Sequence, residues 1–243
     1  MSPAQTMVLA RPELRELQNG ADELQNRRQE REALARHSQL PEHRVVFLKQ
    51  VHGDGNIEVR ATALPAREPY QGEGDALYTE LTDTLLVIRT ADCLPVLLEV
   101  SGAGRTVAAA IHGGWRGLKS EIVYKTLQRI LTEKFSDHAP ETVRAAFGPA
   151  ISGPVYEVSA DVAEHFSEVR PRPEHPGKYL LDLKASARNQ LERALKANGL
   201  PADRLVFDPQ HEGCTYSENT RFYSYRRGEK YGRILNTICI KAS

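Results

Sequence analysis

Cysteine is scarce in this sequence: Cys93, Cys214 and Cys239 are widely separated and odd in number. That argues against a disulfide framework and for a reducing, cytoplasmic setting. Net charge is also missing, with 32 Lys+Arg against 32 Asp+Glu. A balanced chain gives no global electrostatic reason to expect nucleic acid or an anionic membrane as partner. No apolar run approaches the roughly 18 residues of a membrane span. Met1 to Leu17 carries Arg11, Glu13, Arg15 and Glu16 and no apolar stretch of the kind a signal peptide needs. Internal repeats and low-complexity tracts are absent. What is present is an ordinary globular composition, 40% hydrophobic and 26% charged over 243 residues, enough for one large domain. Nothing in it decides for or against a homo-oligomer.

Residues 1–21 show little apolar periodicity and read as an irregular start. Asp22 is a candidate cap for a helix running to about Arg36. Val45 to Leu48, Thr84 to Ile88 and Thr106 to Ile111 are short continuous apolar runs, the pattern of strands buried on both faces. Pro95, inside LPVLLEV, suggests an edge strand, a bulge or an irregular entry just after Cys93. Leu118 to Phe135 is the clearest helical pattern, with Leu118, Ile122, Leu127, Ile130 and Leu131 near one face. A second helix follows Asp182, with Leu183, Ala187, Leu191 and Leu195 at helical spacing and Asn198-Gly199 as its stop. Arg221 to Tyr225 reads as a strand. Strands and helices mix without regular alternation, which favours a layered α+β single domain over a doubly wound sheet.

Three residues can carry chemistry: His52, Cys93 and His112. Each sits at a predicted strand end beside Gly or Asp, and none has zinc-finger spacing. Together they would supply two imidazoles and a thiolate to a metal, with one position left open as in catalytic zinc sites. Without metal, they would make a thiolate nucleophile with an imidazole base. The plainer alternative is a buried thiol and two surface histidines. Asp92, next to Cys93, can orient an imidazole or carry a proton, though an Asp at a strand end is more often a turn residue. After His112 come Gly113, Gly114, Trp115 and Arg116. A glycine-rich turn before a helix, with Arg116 and Arg226 near it, suits an anionic group such as phosphate. Trp115 and Tyr225 can stack on a planar ring. Cys214 lies near His211 but gives only a weak metal pattern, and Cys239, in an apolar run, reads as a core residue.

Several segments resemble one family. They are NRR from Asn26, FLKQVHG ending at Gly53, GDAL from Gly74, TADCLPVLL from Thr90, AAIHGGWRGL from Ala109, FGPAISG from Phe147, CTYSEN from Cys214 and FYSYRR from Phe222. In this order they are similar to the YfiH-like laccase-domain proteins, also called multicopper polyphenol oxidoreductases or purine nucleoside phosphorylases. The resemblance covers residues 26–243, the expected catalytic domain, and leaves residues 1–25 as a divergent N-terminal segment lacking the family's Ser-Leu-Asn-Leu-Gly motif. It implies a cytoplasmic α+β helix/sheet sandwich of the cysteine-hydrolase-like type. It places the family's metal ligands on His52, Cys93 and His112, with zinc the usual metal and copper also claimed.

The family's activities are described in four ways: purine nucleoside phosphorolysis, adenosine deamination, laccase-like oxidation and editing of peptidoglycan precursors. A four-copper oxidase needs many histidines in H-x-H pairs, and this chain has eight histidines and no such pair. Deamination fits a zinc-bound water attacking a purine with Asp92 as the nearest carboxylate. Phosphorolysis fits an anion pocket at the turn after His112. Amide hydrolysis fits a metal-bound water or Cys93. The resemblance favours the nucleoside enzyme, with purine nucleoside and phosphate as partners. A degenerate, metal-binding member is the competing class.

Overall fold

The structure is a computed structural model that describes residues 4–9, 23–60, 70–209 and 211–242. The continuous apolar runs are strands buried on both faces. Strands β1 (Gln5–Leu9), β2 (Val45–Phe47), β5 (Leu85–Thr90) and β13 (Ile234–Cys239) form a four-stranded sheet in the order β1-β13-β5-β2. Strands β3 (Asn56–Glu58), β4 (Ala76–Thr79), β6 (Leu94–Gly102), β7 (Arg105–Gly113), β8 (Thr142–Phe147) and β12 (Leu205–Asp208) form a six-stranded sheet in the order β12-β8-β6-β7-β4-β3. A small third sheet holds β9 (Glu157–Ser159), β10 (Val169–Pro171) and β11 (Lys178–Leu181).

The helices are α1 (Glu23–Ser38), α2 (Trp115–Lys119), α3 (Ile122–Lys134), α4 (Ala160–Ala163) and α5 (Leu183–Ala197). Alternation along each strand sorts the core into layers. Val96, Leu98, Ala109 and Ile111 pack with Leu127 and Ile130 of α3 and Leu191 and Leu195 of α5. Their neighbours Leu97, Ala108 and Ala110 face Leu86, Ile88 and Ile238 of the four-stranded sheet. Leu85, Val87 and Leu235, on that sheet's far face, meet Leu34 of α1. The result is helix, sheet, sheet, helix, the expected α+β sandwich.

Four local expectations need correction. Gln5–Leu9 is not irregular: it pairs antiparallel with β13. Pro95 does not mark an edge, since β6 lies between β7 and β8. The Gly148 N–H donates to the Pro95 carbonyl, so the side of Pro95 that lacks an N–H faces the end of β8 rather than its ladder. Arg221 to Tyr225 is turn and irregular chain. The predicted helix 118–135 is two helices, broken at Glu121, whose φ of 61° is left-handed. The Asp182 cap forms as expected, its carboxylate accepting from the Lys184 and Ala185 N–H groups. Asp22 lies outside the described residues.

The break is held by one buried side chain. Gln190 of α5 donates to the Leu118 carbonyl at 2.7 Å and accepts from the Val123 and Tyr124 N–H groups at 3.2 and 3.3 Å. It satisfies the end of α2 and the start of α3 together. Gln190→Ala would leave these groups unpaired, and a loss of about 1–3 kcal/mol in urea unfolding is expected. An unchanged midpoint would mean that water takes over both ends without cost.

Candidate metal centre

β6 and β7 run antiparallel with Leu94 opposite Gly113 and Pro95 opposite His112. That register sets the residue before β6, Cys93, beside the turn that follows β7. His52 arrives from the loop after β2. One ligand atom from each of His52, Cys93 and His112 lies within 4.8 Å of the other two. A tetrahedral metal with bonds of about 2.0–2.3 Å needs ligand atoms roughly 3.5 Å apart. The cluster is therefore near the geometry of a shared ion, and two imidazoles with one thiolate suit zinc or copper. The rings of His52 and His112 meet edge to face, centroids 4.8 Å apart.

Asp75 organises this trio. It is fully buried, just ahead of β4. Its Oδ1 is 2.8 Å from His112 Nδ1 and accepts the His52 N–H at 3.0 Å. Its Oδ2 accepts the Val51 and Gly53 N–H groups at 3.2 and 2.7 Å. An ionised carboxylate only accepts, so His112 carries its proton on Nδ1 and presents Nε2 to the site. Burial alone would raise the Asp75 carboxyl, but the hydrogen bonds from His112 and the backbone outweigh it and hold it below its usual range. Cys93 and His112 shift together. Burial opposes both charges, yet the imidazole draws the thiol down and the thiolate, helped by Asp75, draws the imidazole up. Even without an ion the trio favours a thiolate, the form a metal binds.

The backbone is committed here as well. His52 has φ 60° and Asp92 has φ 89°, both left-handed for residues with a side chain, at a cost of about 1–3 kcal/mol each. The Asp75 bonds hold the first. The second is held by the Ile151 N–H, which donates to the Asp92 carbonyl at 2.9 Å. A Cβ on Gly114 would stand 3.1 Å from Cys93 Sγ and 3.6 Å from His52 Cδ2, so a side chain there would fill the space beside the thiol. A Cβ on Gly113 would strike the Leu94 carbonyl at 2.9 Å. Both glycines thus have a packing reason.

The trio opens into a cavity of about 560 Å³ that also touches Asp92, Trp115, Arg116, Tyr156, Tyr225 and Arg226. The Asp92 carboxylate accepts from Thr215 Oγ1 at 2.6 Å and from the Arg226 N–H at 2.7 Å. Orienting His112 falls to Asp75 instead. Arg116 is exposed and stacks over Trp115, 4.3 Å from the ring centroid. Arg226 donates to the Glu157 carbonyl at 3.0 Å and lies over Tyr156. Burial pushes the Tyr156 phenol upward, so it stays protonated.

Sequence reasoning passed over Asp75, Tyr156, Gln50 and two arginines of the wall, Arg27 and Arg89. For Asp75 the one signal was its place in the GDAL segment from Gly74. Cys214 takes no part in the trio; it accepts from Ser152 Oγ at 3.1 Å. Cys239 is buried among core residues of β2, β5 and α1, as expected. Among the described residues, no helix is long and apolar enough to cross a membrane.

Known proteins are similar to this chain in fold and in sequence. The YlmD protein of Geobacillus stearothermophilus superposes with a TM-score of 0.78 at 26% identity, over 99% of this chain and 93% of that one. The purine nucleoside phosphorylase YfiH of Escherichia coli (strain K12) is 36% identical over 199 residues, 79% of this chain and 72% of its own. A purine nucleoside phosphorylase of Bacteroides thetaiotaomicron is 36% identical over 216 residues, 84% of this chain and 75% of its own. The profile of the multi-copper polyphenol oxidoreductase laccase family matches residues 16–241, and the chain belongs to that family.

Proposed function

We propose that this chain is a metal-dependent purine nucleoside phosphorylase that also deaminates adenosine. The observation that carries the reading is the joining of the His52–Cys93–His112 cluster to a cavity walled by aromatic and cationic side chains. Its size suits a nucleoside, since small-molecule sites run from about 300 to 1,000 Å³. The names of the relatives support the purine nucleoside class. Adenosine, inosine and methylthioadenosine with phosphate are the substrates, and the setting is a reducing cytoplasm, which suits three free thiols.

Each wall has a part in this reading. Trp115 and Tyr225 flank the base. Arg116, just after the turn of Gly113 and Gly114, and Arg226, over Tyr156, hold the nucleoside from the mouth. The Tyr156 phenol donates a hydrogen bond. Asp92 has its carboxylate fixed by Thr215 and the Arg226 N–H, and still offers lone pairs that take up a proton during deamination. His52, Cys93 and His112 hold the metal, with Asp75 fixing the His112 tautomer. A bound zinc would supply Lewis acidity and a water more acidic than bulk. Copper on the same donors would give a weak oxidation of phenols as a side activity.

The test follows adenosine by chromatography with and without phosphate, on protein whose zinc and copper have been counted by elemental analysis. Adenine is expected only with phosphate, and inosine without it. Stoichiometric metal with neither product overturns the reading and moves the thiolate and its imidazole to amide hydrolysis, or the chain to a binding role.

A further inference from the structure

The cavity reaches beyond the residues used above. Arg27, on α1, and Arg89, on β5, also line it. Glu30 lies between them. Arg89 grips Glu30 with two parallel bonds, Nε to Oε2 and Nη2 to Oε1, each 3.0 Å. Arg27 Nη1 contacts Glu30 Oε2, and its Nε donates to Tyr70 Oη at 3.2 Å. Glu30 is fully buried and Arg27 is 2% exposed. Burying charges against one another is expensive, and apolar residues of similar size would cost less. Such a cluster at the wall of a reactive cavity is better explained by what it binds.

We infer that Arg27 and Arg89, locked by Glu30, form the subsite that receives the phosphate group of the reaction. The inference rests on the phosphorolytic reading and moves the phosphate away from the glycine turn after His112. Three observations carry it. First, both guanidiniums are already held, so little side-chain freedom is lost on binding. Arg89 spends two of its five N–H donors on Glu30, and the planar fork matches phosphate oxygens. Second, the cation pair is tied to the reacting centre. Gln50 donates to the Arg89 carbonyl and accepts the Arg89 N–H, both at 2.9 Å, two residues before His52. Cys93 follows Arg89 by four residues, so their Cα atoms are at most about 14 Å apart. Third, the field favours an anion. Among the described lining residues, six are Arg or Lys and one is an acid, Asp92, whose carboxylate already accepts from Thr215 and the Arg226 N–H; Glu30 and Glu73, paired with the arginines and with Lys49, still leave the cations in excess. Arg116 and Arg226 remain at the mouth, stacked on Trp115 and Tyr156.

The phosphate comes from one of two sources: free inorganic phosphate as second substrate, or a phosphate ester already on the nucleoside. Calorimetric titration of the metal-loaded protein with inorganic phosphate, and separately with adenosine 5′-monophosphate, distinguishes them. The wild-type protein is expected to bind inorganic phosphate. Arg89→Lys keeps the charge but loses the fork, and should weaken that binding about 10-fold or more while metal content is unchanged. In kinetics, the KM for phosphate should rise by the same factor, with a much smaller change in the KM for adenosine. Arg27→Lys should act alike, and it serves if Arg89→Lys does not fold. Binding of the monophosphate alone, lost in Arg89→Lys, supports the subsite with the phosphate carried by the substrate. Phosphate binding lost in the variants of a protein that forms no adenine supports the subsite and overturns only phosphorolysis. Equal phosphate affinity in wild type and variants, or no binding of either probe to the wild type, overturns the inference.

Discussion

Cys93→Ala is expected to strip the metal and abolish turnover. Cys93 brings the one anionic ligand of the trio, held as thiolate by His112 despite its burial. Alanine leaves two imidazoles, one of them on the exposed loop of His52. Two neutral ligands hold zinc weakly compared with a thiolate set. Bound metal should fall by about 10-fold or more after dialysis, and kcat/KM for adenosine by at least about 10³-fold. Cys239→Ala is the control. That thiol is buried in the core, with its pKa raised mainly by burial. Its loss should cost on the order of 1 kcal/mol in unfolding and leave metal and turnover intact. Metal retained in Cys93→Ala, or equal losses from both variants, would sink the metal-centre assignment.

The second large effect is expected at Asp75. Its two oxygens serve four groups: His52 N–H and His112 Nδ1 on one, Val51 and Gly53 N–H on the other. Asn has the same shape but one oxygen. Whichever way its amide is turned, its NH₂ faces two donors. Each group left unsatisfied costs about 1–3 kcal/mol, so Asp75→Asn should lower both stability and metal affinity, the latter about 10- to 100-fold. Competition with a chelator measures the affinity, and chemical unfolding of the metal-free protein measures the stability. A variant that loses stability but keeps wild-type metal affinity would make Asp75 a fold residue only.

Much of the layered fold was readable because runs such as Leu85–Ile88 are apolar without interruption and too short for a helix, the pattern of a strand covered on both faces. His52, Cys93 and His112 were readable as chemically able residues at strand ends, but the spacing left their convergence open. Asp75 escaped notice because it lies 37 residues from His112 and 23 from His52, and its role exists only once β4 pairs with β7. Arg27 and Arg89 were hidden for a similar reason. Arg27 falls inside the helix expected up to about Arg36 and Arg89 just past the apolar run Thr84 to Ile88, and only the packing of α1 against the four-stranded sheet makes them a pair. The break at Glu121 left no mark, since the apolar spacing continues through it and its stabiliser, Gln190, lies 67 residues beyond Val123.

The position of β13 bears on how the protein is made. β13 separates β1 from β5, so residues 5–9 have no sheet partner until residues 234–239 have been synthesised. During translation β1 is an open edge, and the sheet that carries Arg89 lacks a central strand. Contacts of such long sequence separation close slowly, and unpaired edges invite association with other chains. The nascent protein therefore carries β1 unpaired through nearly all of its synthesis, and the four-stranded sheet closes only when its last strand arrives.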